Sequence, residues 1–153
     1  MSNLAYETDP AETETNEPDP TLQTLRPVPR ISIQAFCETD AVANPIQRAG
    51  ADRRMSKAHL KVNMGGITTA VEFYQTAATP NLVIIESAHE PREMLASLER
   101  LAEVCDPGTK VIIIGHYNDV WLYRELMRAG ISEYVVAPIS MADIVSVIAN
   151  IFV

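Results

Sequence analysis

The side chains best suited to chemistry in this 153-residue chain are three histidines, two cysteines and a short set of carboxylates. His59, His89 and His116 have no histidine partner three or four residues away, the spacing at which one helix face presents two metal ligands. Only a fold that brings His89 and His116 together would make a metal site of them, and no metal is expected. A Ser87/His89 or Cys37/His116 pair would also need an orienting acid and oxyanion donors to act as a nucleophile, and neither is evident. Met64-Gly65-Gly66-Ile67-Thr68-Thr69 lacks the lysine and the first glycine of a phosphate-binding loop, so it reads as a turn and a helix start. The remaining candidates are acidic: Glu38 and Asp40 follow one apolar run, and Glu86 ends another. Convergent carboxylates hold hard cations, so the elements that carry these three decide what they can do.

From Arg30 onward, strand and helix patterns alternate. Ile31 to Phe36 reads as a first strand. Asn44-Pro45 supplies an N-cap side chain and a proline suited to the first helical position, which predicts a helix from there to about Met55. His59 to Met64 reads as a second strand, and Ile67, Ala70, Val71 and Tyr74 recur at helical spacing. Leu82-Val83-Ile84-Ile85 is a continuous β-branched and leucine run, as expected of a central parallel strand buried on both faces. Pro91 starts a helix with Met94, Leu98, Leu101 and Cys105 on one stripe, stopped by Pro107-Gly108. Val111 to Ile114 is a second buried strand ended by Gly115. A fourth helix spans roughly Asp119 to Ala129, Tyr134-Val135-Val136 is a short strand, and a last helix begins near Ser140. Five strands alternating with five helices predict an α/β, doubly wound, five-stranded parallel sheet with order 2-1-3-4-5. Any site would then lie beyond the C-terminal ends of the strands, where Glu86 falls.

Charge and composition narrow the partners. The net charge of −8 lacks the basic surface that nucleic acid requires. Glu7, Asp9, Glu12, Glu14, Glu17 and Asp19 precede the first basic residue, Arg26, and the remaining 14 acidic and 12 basic residues nearly cancel. With Pro10, Pro18, Pro20 and Pro27, residues 1–28 read as a disordered acidic tail before a folded domain at 29–153. No apolar run is long enough to span a bilayer, the N-terminus is no secretory signal, and Cys37 and Cys105 read as reduced thiols. A cytoplasmic chain is expected, without membrane insertion.

Two segments resemble the receiver domains of response regulators: Thr79-Pro80-Asn81-Leu82-Val83-Ile84-Ile85-Glu86, and Ala129 to Ser140 with its aromatic, apolar pair and proline. The resemblance implies where a receiver's five functional groups would stand. The metal-binding acidic pair falls at Ala35-Phe36, or Phe36-Cys37 one residue on. The phosphoacceptor is Glu86, the hydroxyl position is Gly115, the lysine position is Ala137, and only the aromatic survives, as Tyr134. Ala35 and Phe36 offer no oxygen ligands for Mg²⁺. Without metal or lysine the charge on a transferring phosphoryl group goes unneutralised. Glu86 also moves its carboxylate by one methylene, roughly 1.5 Å, where about 1 Å can cost ~10²-fold. Receivers commonly hold the bond before this proline cis, and a cis Ala137–Pro138 bond is expected here.

A more particular resemblance is to the N-terminal domain of the CpaE/TadZ pilus-assembly family, in which a receiver-like domain lacking its acidic pocket precedes a ParA/MinD-type ATPase. It is carried by Ile31 to Phe36, the helix from Gly66 to Tyr74, and the lysine-less Ala137-Pro138. The ATPase part is not in this chain, and the apolar end Ile151-Phe152-Val153 fits a domain separated from a longer protein. The resemblance implies a non-catalytic interaction or localisation domain with no cofactor. Its partners would be pilus-assembly or polar-localisation proteins, with recruitment to the cell pole or the inner-membrane pilus machinery. Trp121, Tyr123 and Met127 on the fourth helix, with Tyr134, mark the expected interaction surface, because one helix cannot bury both sides. A homodimer through the fourth helix, fifth strand and fifth helix would use it. Two other readings stand beside this one: a phosphorylation-competent response regulator using Glu38, Asp40 and Glu86, and a small flavodoxin-like ligand-binding protein.

Overall fold

A computed structural model describes residues 27–152. Five strands and five α-helices alternate: β1 Ser32–Cys37, α1 Asp40–Gly50, β2 His59–Met64, α2 Ile67–Tyr74, β3 Leu82–Glu86, α3 Pro91–Val104, β4 Lys110–Gly115, α4 Val120–Arg128, β5 Glu133–Val136 and α5 Met141–Phe152. The strands form one parallel sheet in the order β2-β1-β3-β4-β5, the expected topology. Each central strand feeds two cores because successive side chains point to opposite faces. Ala35, Cys37, Ile84 and Ile114 face one core with α1 and α5. Phe36, Val83, Ile85 and Ile113 face the other with α2, α3 and α4. The β-branched runs of β3 and β4 are therefore buried on both sides.

Local chemistry sets most element ends. Ser140 and Asp143 form a reciprocal cap at the start of α5: the Asp143 amide donates to Ser140 Oγ and the Ser140 amide to Asp143 Oδ2, both at 3.0 Å. Helix α4 is capped by Asp119, whose carboxylate accepts from the Leu122 amide at 2.9 Å. It stops at Gly130, whose φ of +95° favours a residue without Cβ. The Ala137–Pro138 bond is cis, as expected.

Helix α1 departs from its predicted bounds. It begins at Asp40 rather than at Pro45, Pro45 lies inside it, and Arg53–Met55 is a separate 3₁₀ turn. The Asn44-Pro45 start signal is overridden because the chain is already fixed at Thr39, whose amide and hydroxyl are held by Glu86. Val42 and Ala43 also gain burial from the earlier start. At the other end, Val28 is fully buried and its amide donates to the Arg54 carbonyl at 2.9 Å. The packed region thus reaches one residue before the expected boundary, and the rest of the predicted tail, 1–26, lies outside the described residues.

Candidate functional site

The C-terminal strand ends converge on one carboxylate. Glu86 closes β3, and its side chain is fully buried. Its Oε1 accepts hydrogen bonds from the Glu38 amide at 2.7 Å and the Thr39 amide at 2.9 Å. The Thr39 hydroxyl lies 3.0 Å from Oε2, and His116 Nε2 lies 2.9 Å from the same oxygen. Burial pushes this carboxyl up, but the bonds from His116, the Thr39 and Glu38 amides and the Thr39 hydroxyl outweigh it and hold its pKa below the ordinary value. Glu86 is thus an ionised tie between the β1–α1 loop and the β4–α4 loop, with both oxygens already engaged.

Glu38 is spent in the same way. Its Oε1 accepts from the Ala88 amide at 3.1 Å, joining the β1–α1 and β3–α3 loops. Its carboxylate lies so close over Gly66 that a Cβ there would stand 3.1 Å from Cδ and nearer still to Oε2. Ala35, Phe36 and Cys37 are all buried in the cores. Phe36 sits edge-on to Tyr74 at a centroid distance of 5.6 Å and also meets Phe73 at 6.1 Å. These residues do not fit Mg²⁺. The positions of the acidic pair are apolar or thiol, and the two nearest carboxylates are bound by backbone amides. Among the described residues, no three His, Cys, Asp or Glu side chains cluster as a metal site.

The other switch positions close on one another. Gly115 ends β4 with no side chain, and Tyr134 occupies the space: a Cβ at 115 would lie 2.6 Å from Tyr134 Cε1 and 2.8 Å from Cζ, inside any real contact. Tyr134 is buried, and its phenol donates to the Tyr117 carbonyl at 2.7 Å. Burial, reinforced by Asp119, pushes that phenol above its ordinary pKa, so it stays a donor. The Ala137 amide donates to the Gly115 carbonyl at 2.8 Å.

The nucleophile and metal pairs do not form. His116 turns to Glu86, whereas His89 Nδ1 lies 3.4 Å from Ser97 Oγ. Ser87 Oγ accepts from the His89 backbone amide rather than from its ring. Burial, with Glu86 adding to it, pushes the Cys37 thiol up to about 12, the opposite of an activated nucleophile. His116, Thr39 and Tyr117 are the partners that a reading of the sequence misses. Only Thr39, next to Glu38 at a strand end, carried a local hint.

On the flank beside the pocket, Trp121 and Tyr123 of α4 are 45% and 43% exposed and Val120 is 66% exposed, with Tyr117 beside them in the preceding loop. Trp121 is covered on one side by the Arg92 guanidinium, 5.6 Å from its ring centroid. Met127 instead packs partly against the core of α2, α3 and α4. A cavity of about 220 Å³ opens between Val120, Tyr123, Tyr134 and Val136.

The fold and the placement of these groups define a receiver-like domain. Solved structures agree. The chain is 18% identical to a response regulator from Thermotoga maritima at a TM-score of 0.60, covering 84% of this chain and 98% of that one, a likeness of fold. It is 44% identical to a pilus assembly protein CpaE from Caulobacter crescentus, at a TM-score of 0.80 over 83% of this chain and 97% of that one. A putative CpaE2 pilus assembly protein from Sinorhizobium meliloti is 40% identical at a TM-score of 0.77, over 79% of this chain and 99% of that one. The chain belongs to the CpaE pilus-assembly family. No family model and no curated protein sequence matches it. Among the described residues no helix is long and apolar enough to cross a membrane.

Proposed function

We propose that this chain is a non-catalytic docking domain of a pilus-assembly protein, a receiver-like module that takes neither phosphoryl group nor metal. The observation that carries this reading is the saturation of Glu86. A phosphoacceptor must offer a free carboxylate oxygen to the incoming phosphorus, and both oxygens here receive donors from the protein itself. Leaving those donors unpaired in a buried site would oppose the reaction further. The lysine position is Ala137, so no fixed cation stands at the end of β5 to neutralise a transferred charge. The phosphorylation-competent reading, with Glu38 and Asp40 as metal ligands, finds no support in this geometry. A flavodoxin-like ligand site is also unsupported: the roughly 470 Å³ groove lies between α3 and α4, lined by Leu95, Leu98, Ala102, Arg128 and Ile131. That is the flank of the sheet rather than its strand ends.

The docking surface in this reading is the α4–β5–α5 face. Val120 and Tyr123 expose apolar and aromatic area there, the composition enriched in interface centres. Its occupant is a second copy of this chain, with pilus-assembly or polar-localisation proteins joining the pair in the cytoplasm at the cell pole. Sedimentation equilibrium of the full chain tests the pairing against Tyr123→Arg and Val120→Asp. Concentration-dependent dimerisation, weakened at least about tenfold by either substitution, supports it; the few residues that anchor an interface centre each cost about 2 kcal/mol or more when lost. A monomer at all accessible concentrations, or a dimer indifferent to both substitutions, overturns this choice of face and occupant.

A further inference from the structure

Three consecutive residues at the end of β4 are each held in place, the first by the β4–β5 ladder and the next two by side chains at expected switch positions. The Gly115 carbonyl accepts from the Ala137 amide at 2.8 Å, at the former lysine position. His116 Nε2 meets Glu86 Oε2 at 2.9 Å, at the former acceptor position. The Tyr117 carbonyl accepts from Tyr134 Oη at 2.7 Å, at the aromatic position. Two residues later Asp119 caps α4 through the Leu122 amide, and the first turn of α4 carries the exposed Val120, Trp121 and Tyr123.

We propose that the dismantled pocket is a permanent clamp on residues 115–117, which holds the start of α4 in one conformation and so presets the docking face, with Gly115 as the positioning residue that admits the Tyr134 ring. The proposal rests on the docking reading for its purpose, but not for its geometry. A side chain at 115 and the Tyr134 ring cannot share the space, so the glycine that removes the hydroxyl also seats the aromatic inward. In an alternating switch this loop would need two arrangements of comparable free energy. Here two side-chain contacts, His116 with Glu86 and Tyr134 with the Tyr117 carbonyl, add to the β4–β5 ladder and favour one.

The test is native-state hydrogen exchange on the full chain, diluted to a concentration at which it is monomeric. Tyr134→Phe keeps the ring and removes the bond to Tyr117. Gly115→Ser restores a side chain and expels the ring. Exchange at the Leu122 and Tyr123 amides, the first of α4 to be hydrogen-bonded and both held by Asp119, should speed up roughly three- to tenfold in Tyr134→Phe. It should speed up further in Gly115→Ser, while the amides of β1 and β3 keep wild-type protection. Unchanged exchange at Leu122 and Tyr123 in a folded Tyr134→Phe chain overturns the clamp, even if Gly115→Ser fails to fold. Sedimentation of the same variants addresses the purpose. Weaker pairing is expected, and faster exchange with wild-type pairing overturns the presetting. A wild-type chain that never pairs yet shows a loop loosened by Tyr134→Phe sinks the choice of a second copy as occupant and leaves the clamp standing.

Discussion

The Glu86 carboxylate and the Thr39 hydroxyl and amide lie within hydrogen-bonding distance although 47 residues separate them in the chain, with the amide donating to Oε1 at 2.9 Å. This contact makes Glu86 a fastening between the β1–α1 loop and the end of β3. It also explains why α1 starts where it does: Thr39 stands at the N-cap, but its side chain turns to Glu86 rather than capping the helix.

Removing the fastening should cost stability. Glu86→Ala leaves the Glu38 and Thr39 amides without their acceptor, and unpaired buried donors cost about 1–3 kcal/mol each. A loss of about 2–5 kcal/mol is expected, read as a lower urea midpoint with an unchanged slope. Glu86→Asp should also destabilise, because the shorter side chain cannot reach both loops.

The same carboxylate sets an acid limb. Its folded pKa lies below the ordinary 4.5. Its contribution is therefore fully present above that value and is lost as pH falls through the lower folded one. Wild type should lose stability with acid more steeply than Glu86→Gln in the range below 4.5, as followed by chemical denaturation at successive pH values. Parallel pH profiles for the two proteins would contradict this role.

Cys37 is fully buried, and its thiol is pushed up to about 12. Near neutral pH it should resist alkylation in the folded protein and react fully once the chain is unfolded, as mass spectrometry would show. Rapid native modification of Cys37 would indicate that the β1 end opens far more readily than its packing allows.

Much of this architecture is legible in the sequence, because the apolar runs Leu82 to Ile85 and Val111 to Ile114 leave little choice but central strands. The end residues of those strands, Glu86 and Gly115, follow directly. What the sequence hides is who meets them. His116 lies 30 residues from Glu86, and Tyr134 17 from Tyr117. Such contacts depend on strand register and loop path, which periodicity does not encode. The helix start at Asn44-Pro45 fails for the same reason: a tertiary bond from Glu86 outweighs a local capping preference. Gly115 reads only as a missing hydroxyl, although its lack of a Cβ is what seats Tyr134.

Restoring a single switch residue should not restore the switch. Ala137 is partly buried against the core of α1 and α5 at the end of β5. Ala137→Lys is expected to fold, because a lysine ammonium can reach solvent from a strand end. Its circular dichroism and cooperative melting should match wild type, and it should still take no phosphoryl group, since the acidic-pair positions at Ala35 and Phe36 remain without ligands. Phosphorylation of this variant alone would show that the lysine, rather than the metal site and the occupied Glu86, limits the chemistry.

The most direct test is intact-protein mass spectrometry of the full chain after incubation with Mg²⁺ and acetyl phosphate as the small phosphodonor. Saturation of Glu86 by Glu38, Thr39 and His116 predicts an unchanged mass in wild type and in Ala137→Lys alike. A stoichiometric gain of one phosphoryl group, lost on Glu86→Gln, would contradict the account.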